Sequence, residues 1–272
     1  MTQHSVMAAA LARLRAAGFD DAQREVRLLW RAAMPHRFVD DDLADGTALA
    51  RFEDMVARRL THVPISHLLG YREFYAHRFV VTRDVLDPRP DTETLVEQCL
   101  ALPFKRVLDL GTGSGCILLS LLGARAGATG VGVDVSQAAL DVAAQNVALL
   151  EMEARATLCR SDWFEDVQGE FDLIVSNPPY IAADEMTGLQ PEVQLHEPRM
   201  ALTDGADGLR CYGAIIAGFD PHLTAGGWVA VEIGPTQSKP VSRMMRDAGL
   251  VGVRAEVDLD GRDRVVLGQK PA

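Results

Sequence analysis

Apolar residues recur at helical spacing through the first part of the chain and predict a small helical bundle. The spacing predicts a first helix that ends near Gly18 and a second over residues 21–34, which Pro35 follows. A third helix is predicted over residues 47–60. We therefore expect an N-terminal helical domain over residues 1–73.

The pattern changes at residues 74–81, which are rich in aromatic and β-branched side chains. Such a segment predicts β-strand, arranged here as a hairpin. Pro88 and Pro90 then interrupt the pattern. We expect residues 74–90 to form a β-hairpin linker.

Short apolar runs and helical patterns alternate from residue 91 onward and predict an α/β domain over residues 91–272. This rhythm favours a mostly parallel sheet with helices on both faces. Because no long helix separates the last two runs, those strands are expected to pair antiparallel. Strands are predicted over residues 106–110, 130–134, 155–159, 171–176, 227–233, 250–257 and 263–268, with helices after Gly115 and over residues 136–149.

Composition narrows the class of protein. Hydrophobic residues make up 48% of the 272 residues and charged residues 24%, which is ordinary for a globular protein. Because no apolar run has the length of a membrane span and the N-terminus lacks the order of a signal peptide, we expect a cytoplasmic protein without a membrane partner. The net charge of −11 disfavours a protein that follows nucleic-acid phosphates.

Cysteine and histidine spacing predicts no metal site. The four cysteines form no CxxC pair, and none of the seven histidines has metal-ligand spacing. We expect the cysteines to be buried free thiols. The Arg58-Arg59 pair is expected to lie on a solvated helix face.

The segment Asp109–Gly115, DLGTGSG, lies where a predicted strand leads into a helix. Glycines at such a turn allow the backbone to approach a ligand closely. Asp134 ends the next predicted strand, where a carboxylate can accept from both hydroxyls of a ribose. The GxGxG spacing differs from the dinucleotide GxGxxG, so we predict a nucleoside cofactor without a pyrophosphate, such as S-adenosylmethionine. The alternative is a packing turn beside a solvated Asp134.

Asp162 and Trp163 follow the third strand of the predicted domain. Their loop should lie at the same carboxyl edge of the sheet, where ligands of open α/β folds bind. Trp163 could border an adenine ring and Asp162 could accept from its amino group. Considered alone, Trp163 fits the hydrophobic core equally well.

The tetrapeptide Asn177-Pro178-Pro179-Tyr180 follows the predicted strand over residues 171–176. Its prolines fix the backbone, so that the Asn177 side-chain oxygen and the Pro178 carbonyl can accept from one planar NH2 group. Tyr180 can stack on the flat π system. We predict that these four residues hold the methyl acceptor.

A clamp of this kind suits a side-chain amide, whose nitrogen is a poor nucleophile because its lone pair is delocalised. It would also suit the exocyclic amine of adenine, so an N6-adenine methyltransferase stays open. That enzyme would need a flipped base and a basic groove, which the acidic balance disfavours. The clamp also disfavours a third alternative, a non-catalytic S-adenosylmethionine-binding module.

Five motifs in order resemble the HemK/PrmC family, the peptide chain release factor N5-glutamine methyltransferases. They are Gly70–Phe74 (GYREF), Pro88–Glu93 (PRPDTE), Asp109–Gly115 (DLGTGSG), Asn177–Tyr180 (NPPY) and Glu197-Pro198. NPPY alone is shared with DNA adenine methyltransferases, so the architecture and PRPDTE separate the two families. Asp87 departs from the family, which more often has an apolar residue there.

The resemblance implies a seven-stranded, Rossmann-like class I methyltransferase domain, S-adenosylmethionine as donor, and the glutamine of a release-factor GGQ motif as acceptor. A related enzyme that modifies a ribosomal protein remains an alternative. We further expect a monomer, a helical domain that docks the protein substrate, Asp91 as a helix cap with Glu93 in the first turn, and Arg89 as a brace or substrate contact. The implied cofactor contacts are Gly111, Thr112, Gly113, Ser114, Gly115, Asp134, Trp163 and Asn177. Asp162, predicted from the position of its loop, is added to them.

Overall fold

We analysed a computed structural model of the chain, which describes residues 2–34 and 46–272. Pro35, the residue that follows the predicted second helix, lies outside these residues. The chain divides into two compact units. The smaller contains Met1–Tyr71 and Gln190–His196, and the larger contains Arg72–Leu189 and Glu197–Ala272.

The smaller unit is helical, as the apolar spacing predicts. Its helices are α1 (Gln3–Ala16), α2 (Ala22–Ala33), α3 (Gly46–Arg59) and the short α4 (Ile65–Leu69). Gly18 follows α1 with a φ of 83°, a left-handed conformation that ends the helix. The side chains of Leu14, Leu29, Phe52 and Val56 are buried and pack in one apolar core.

Arg59 corrects one sequence prediction. Its side chain is not solvated but buried, because its guanidinium makes two hydrogen bonds to the Glu25 carboxylate, at 2.8 and 2.9 Å. Arg58, in contrast, is exposed. The oppositely charged partner of Arg59, Glu25, lies on a different helix that is distant in sequence. A local sequence pattern could therefore not reveal the pair.

Part of the later chain also belongs to the smaller unit. A short helix over Pro191–His196, α8, places the Glu192 carboxylate 3.1 Å from the Arg59 guanidinium. The ring nitrogen Nε2 of His196 lies 2.9 Å from the Thr61 carbonyl oxygen. Apolar periodicity does not predict this excursion, because α8 is short and contains no buried residue.

A two-stranded sheet of β1 (Tyr71–Phe74) and β2 (His77–Val80) begins at the last residue of the smaller unit's first segment, so the predicted hairpin starts three residues earlier than expected. A seven-stranded sheet follows. Its strands are β3 (Arg106–Leu110), β4 (Thr129–Asp134), β5 (Ala156–Arg160), β6 (Phe171–Ser176), β7 (Leu223–Glu232), β8 (Val251–Val257) and β9 (Asp263–Gln269). Its helices are α5 (Glu93–Leu100), α6 (Cys116–Ala124), α7 (Gln137–Leu149), α9 (Arg210–Gly218) and α10 (Ser238–Asp247).

The sheet has the strand order β5-β4-β3-β6-β7-β9-β8. Strands β3 to β7 pair in parallel, and β9 pairs antiparallel with both β7 and β8, as expected for the last two strands. Alternate strand residues point to opposite faces, so Val107 and Leu173 join one apolar core while Leu108 and Ile174 join another. The fold is the predicted Rossmann-like α/β sheet with helices on both faces.

The prediction of four buried free thiols is only partly correct. All four cysteines are free thiols, but only Cys99 and Cys116 are buried, whereas Cys159 and Cys211 are partly exposed. No helix within the described ranges is long and apolar enough to cross a membrane.

Candidate active site

The site is positioned by the two central strands of the sheet, β3 and β6. They pair in parallel with Leu110 opposite Ser176, and the Ser176 hydroxyl donates to the Leu110 carbonyl at 2.7 Å. The strand order reverses between them, since β4 and β5 continue on one side and β7 on the other. In open α/β sheets such a reversal is where ligands bind. The glycine loop and the NPPY tetrapeptide therefore leave the sheet side by side.

Three left-handed glycines shape the loop after β3. The φ angles are 68° at Gly111, 55° at Gly113 and 80° at Gly115. L-residues with a side chain rarely adopt this conformation. A Cβ on Gly115 would also lie 3.3 Å from Leu119, so this glycine lets the start of α6 pack closely. The predicted glycine turn is present.

Asp109, whose side chain is fully buried, stabilises the glycine loop. Its Oδ2 accepts from the Thr112 hydroxyl at 2.7 Å and from the Leu118 amide at 3.3 Å. Complete burial raises the pKa of this carboxyl to about 7, although those two hydrogen bonds oppose the shift. Its other oxygen, Oδ1, has no partner among the described residues. Asp109 thus has a structural role.

Asp134 ends β4 beside the loop. Its carboxylate accepts from the Gly113 amide at 3.0 Å and from the Ser136 amide at 2.9 Å. Desolvation raises the pKa of Asp134, while these backbone hydrogen bonds act in the opposite direction. Two accepted hydrogen bonds leave further lone pairs on the carboxylate. The residue is therefore fixed in place and still able to accept from a ligand.

Asn146, on α7, is a support that the sequence patterns did not reveal. Its fully buried side chain donates to the Ser114 carbonyl at 2.8 Å and to the Val80 carbonyl at 3.0 Å, and accepts from the Val80 amide. It ties the glycine loop to β2. An Asn on a helix carries no local sign of such a role.

A cavity of about 300 Å³ opens at this edge of the sheet. It brings together predicted residues from four separate segments, namely Gly111, Thr112, Gly113, Ser114, Asp134, Asp162, Trp163, Asn177 and Pro179. Gly115, Pro178 and Tyr180, also predicted, do not line it. Gly115 is the N-cap residue of α6, and Pro178 is buried.

Trp163 belongs both to the cavity wall and to the hydrophobic core, and its contact with an adenine ring stays a prediction. It lines the cavity and packs against the apolar core on the same face of the sheet. Its φ of 50° is left-handed, and the Ser161 hydroxyl donates to its carbonyl oxygen at 3.0 Å. Asp162 beside it is exposed and also lines the cavity.

Asn177 is oriented by Thr92, which the sequence patterns did not single out for this role. The Asn177 amide nitrogen donates to the Thr92 hydroxyl oxygen at 3.2 Å. Since the nitrogen is engaged there, the side-chain oxygen of Asn177 is the group that can accept from a substrate.

Glu232, at the end of β7, lies beneath the same tetrapeptide. Its carboxylate is buried and accepts from the Tyr180 hydroxyl at 3.3 Å. Burial raises the pKa of Glu232 to about 7, and hydrogen bonding from Thr92 and the charge of Arg264 oppose the shift. Burial raises the pKa of Tyr180 as well, and the neighbouring Glu232 adds to the shift. Glu232 thereby interacts with both Thr92 and Tyr180.

The PRPDTE segment supports the site through two ion pairs. Arg89 lines the cavity and lies 2.6 Å from the Glu197 carboxylate, so it braces that segment. Asp91 pairs with the buried Arg264 at 3.0 Å. The predicted capping role of Asp91 is wrong, because Thr92 is the residue that precedes α5 and Asp91 forms an ion pair with Arg264 instead. Glu93 does lie in the first turn of α5.

Comparison with known proteins identifies the class and then the family. The Methyltransferase small domain family matches residues 72–205, and the PrmC N-terminal domain family matches residues 5–70. With its seven-stranded sheet and glycine loop, the chain is a class I methyltransferase. A methyltransferase structure from Pyrococcus furiosus has the same fold, with a TM-score of 0.55 and 17% identity over 81% of this chain and all of that one.

Two curated relatives define the family more closely. Release factor glutamine methyltransferase from Cereibacter sphaeroides is 49% identical over 100% of both chains. The protein of the same name from Rhodospirillum rubrum is 41% identical over 96% of this chain and 82% of the relative. The chain belongs to the release factor glutamine methyltransferase family.

Proposed function

We propose that this protein transfers a methyl group from S-adenosylmethionine to the side-chain amide nitrogen, N5, of the glutamine in the GGQ motif of peptide chain release factors. One observation carries the proposal. The loops after two paired strands, β3 and β6, line a single cavity, and one loop suits a nucleoside cofactor while the other suits a planar amide.

The residues of the cavity fit S-adenosylmethionine. A Cβ placed on Gly111 or Gly113 would meet no atom within 4 Å, so the space that a side chain would fill is open to a ligand. Asp134 keeps lone pairs for the two ribose hydroxyls, and Trp163 with Asp162 would border the adenine. When bound, the cofactor supplies a methyl group on a positively charged sulfur.

The acceptor side fits an amide. Asn177 lines the cavity, and its side-chain oxygen can accept one hydrogen of the glutamine NH2 group. Pro178 and Tyr180 do not line it, and we propose that the Pro178 carbonyl accepts the second hydrogen and that the Tyr180 ring stacks on the amide plane. Two such hydrogen bonds orient the nitrogen lone pair toward the methyl carbon. Because methyl transfer is an in-line displacement, positioning of this kind supplies much of the rate enhancement.

A release factor fits the chain as a substrate better than a nucleic acid does. The net charge is −11, which repels phosphate backbones. Relatives spanning the whole chain carry the release factor name. We propose that the N-terminal helical domain docks the release factor and that residues 74–90 link it to the methyltransferase domain. The protein would act as a cytoplasmic monomer.

The test supplies methyl-labelled S-adenosylmethionine with one of three acceptors: a folded release factor, its GGQ Gln→Ala variant, and adenine-containing duplex DNA. We expect label in the intact release factor alone. Label in DNA would indicate an adenine methyltransferase, and equal label in the Gln→Ala variant would mean that another residue is the acceptor.

A short peptide containing the GGQ sequence serves as a fourth acceptor. It should react poorly, because binding energy from remote parts of a substrate contributes to the rate of the chemical step. Rapid methylation of the peptide would contradict the docking role of the helical domain.

A further inference from the structure

Gln237 holds the acceptor tetrapeptide from behind through its side-chain amide. The residue directly precedes α10, in the turn after β7, where its own backbone amide donates to the Gly234 carbonyl at 3.0 Å. It does not line the cavity. Gln237 is therefore connected to the site through its hydrogen bonds.

The Gln237 side chain forms hydrogen bonds through both its amide nitrogen and its amide oxygen. The amide nitrogen donates to the Tyr180 carbonyl at 2.9 Å and to the Gly208 carbonyl at 3.2 Å. The amide oxygen accepts from the Gly234 amide at 3.0 Å. It also lies 3.1 Å from the Tyr212 hydroxyl, whose single proton has a second acceptor in the Glu232 carbonyl at 2.9 Å. A side-chain amide offers two donors at one end and an acceptor oxygen at the other, so it matches these backbone groups.

Two carbonyl oxygens require donors and one backbone N–H requires an acceptor, so a planar group with donors at one end and an acceptor at the other fits this environment. Gly208 approaches the Tyr180 carbonyl so closely that a Cβ there would overlap it. The Tyr180 carbonyl is therefore confined by Gly208 and bonded by Gln237, which donates to both residues.

We propose, building on the proposed function, that Gln237 is a positioning residue for the methyl acceptor. It fixes the backbone of Tyr180, while Glu232 fixes the hydroxyl at the far end of the same ring at 3.3 Å. With both ends held, the ring plane on which the glutamine amide would stack is set before substrate arrives. The adjoining Pro178 carbonyl, two residues earlier in a stiff segment, is held with it.

The test variant is Gln237→Glu, which keeps the shape but turns a carboxylate oxygen toward the two carbonyls. We expect kcat with a release factor to fall about 100-fold, the loss that a misplacement of about 1 Å can cause. Affinity for S-adenosylmethionine should be unchanged, because Gln237 supports only the acceptor side. Part of the activity should return at low pH, since a protonated carboxyl can again donate to one carbonyl.

Two further variants separate positioning from general damage. Gln269→Glu is the matched control. The Gln269 side chain also donates to a backbone carbonyl, that of Gly226 at 2.9 Å, but Gln269 lies at the end of β9 and makes no hydrogen bond to NPPY among the described residues. It should keep wild-type kcat and show no rescue at low pH. Gln237→Met lacks the hydrogen bonds but also lacks the repulsion between a carboxylate and the two carbonyls. Its kcat should therefore lie between those of the wild type and Gln237→Glu. It also tests the inference if Gln237→Glu folds poorly.

A measurement without substrate keeps this inference distinct from the proposed function. The chain contains four tyrosines, so fluorotyrosine labelling gives few fluorine resonances, and Tyr180→Phe assigns the one that matters. Gln237→Glu and Gln237→Met should both shift that resonance, and Gln269→Glu should not. An unmoved Tyr180 resonance in the Gln237 variants would overturn the inference, whether or not the wild type methylates a release factor.

Discussion

The glycine loop and the NPPY tetrapeptide leave neighbouring strands, yet they are held in different ways. Asp109 stabilises the glycine loop through residues 3 and 9 positions away in the sequence. The side chains that hold NPPY come from much farther away: Thr92 is 85 residues from Asn177, and Glu232 and Gln237 are 52 and 57 residues from Tyr180. The glycine loop thus combines local support with contacts from 21 and 32 positions away, those of Asp134 with Gly113 and of Asn146 with Ser114. The side chains that hold NPPY are all at least 52 positions away.

This difference predicts separable defects. Changes on the glycine-loop side should weaken cofactor binding and leave the chemical step nearly intact. Changes around NPPY should lower the rate of methyl transfer and leave cofactor affinity nearly intact. Asn177 is the exception, because we predict that it contacts both ligands.

The largest effect is expected for Asn177→Ala. It removes the oxygen that would orient the acceptor nitrogen, and loss of alignment of this kind can lower kcat by about 100-fold or more. Tyr180→Ala should lower the rate less, since stacking contributes only about 0.5–1.5 kcal/mol beyond burial. Single-turnover methyl transfer at saturating cofactor is the measurement. Near-normal turnover by Asn177→Ala would show that NPPY is not the catalytic device.

An effect of comparable size is expected for Asp134→Ala, and it should appear in cofactor affinity. Each lost hydrogen bond from a ribose hydroxyl to the carboxylate should cost about 1.5–3 kcal/mol of binding free energy. Titration calorimetry would measure the loss, with Asp247→Ala, an exposed acid on α10, as the control. Because desolvation raises the pKa of Asp134, wild-type affinity should also decline as the pH falls. An unchanged Kd in Asp134→Ala would mean that the ribose binds elsewhere.

The last effect concerns the dependence of stability on pH. Burial in the folded protein raises the pKa of Glu232 from its ordinary value of 4.5 to about 7, so the folded state binds more protons than the unfolded state between those values. The free energy of unfolding should therefore fall as the pH rises from about 4.5 to 7, by at most about 1.4 kcal/mol per pH unit for this group. Glu232→Gln should flatten that slope.

Denaturant titrations at several pH values test this prediction. Asp109 contributes a slope of the same sign, because its pKa is also raised to about 7, so some dependence should persist in the Glu232→Gln variant. An identical slope in wild type and variant would show that Glu232 is ionised in the folded protein throughout the range.

The contrast between the two loops also explains what the sequence could predict. DLGTGSG, Asp134 and NPPY each carry a local signature, since glycine spacing and paired prolines restrict the backbone wherever they occur. The alternation of strands and helices was sufficient to place all three at one edge of the sheet. The helices α1, α2, α3, α6 and α7 followed from apolar spacing in the same way, whereas α8 did not.

The supporting residues carry no such signature. Asn146, Thr92 and Gln237 are ordinary polar residues in the sequence, and their roles exist only once distant backbone groups lie beside them. Asp91 and Arg59 were misjudged for the same reason, because their partners, Arg264 and Glu25, are far away in the chain. Local patterns predict where a ligand approaches, and tertiary contacts decide how the approaching groups are held.

The most direct test of the account is to locate the methyl group. A folded release factor would be incubated with S-adenosylmethionine and either the wild-type protein or Asn177→Ala, then digested and sequenced by tandem mass spectrometry. We predict one added methyl group on the side-chain nitrogen of the GGQ glutamine with the wild type, and none above background with the variant. A methyl group on another residue, or equal methylation of the glutamine by both proteins, would contradict the account.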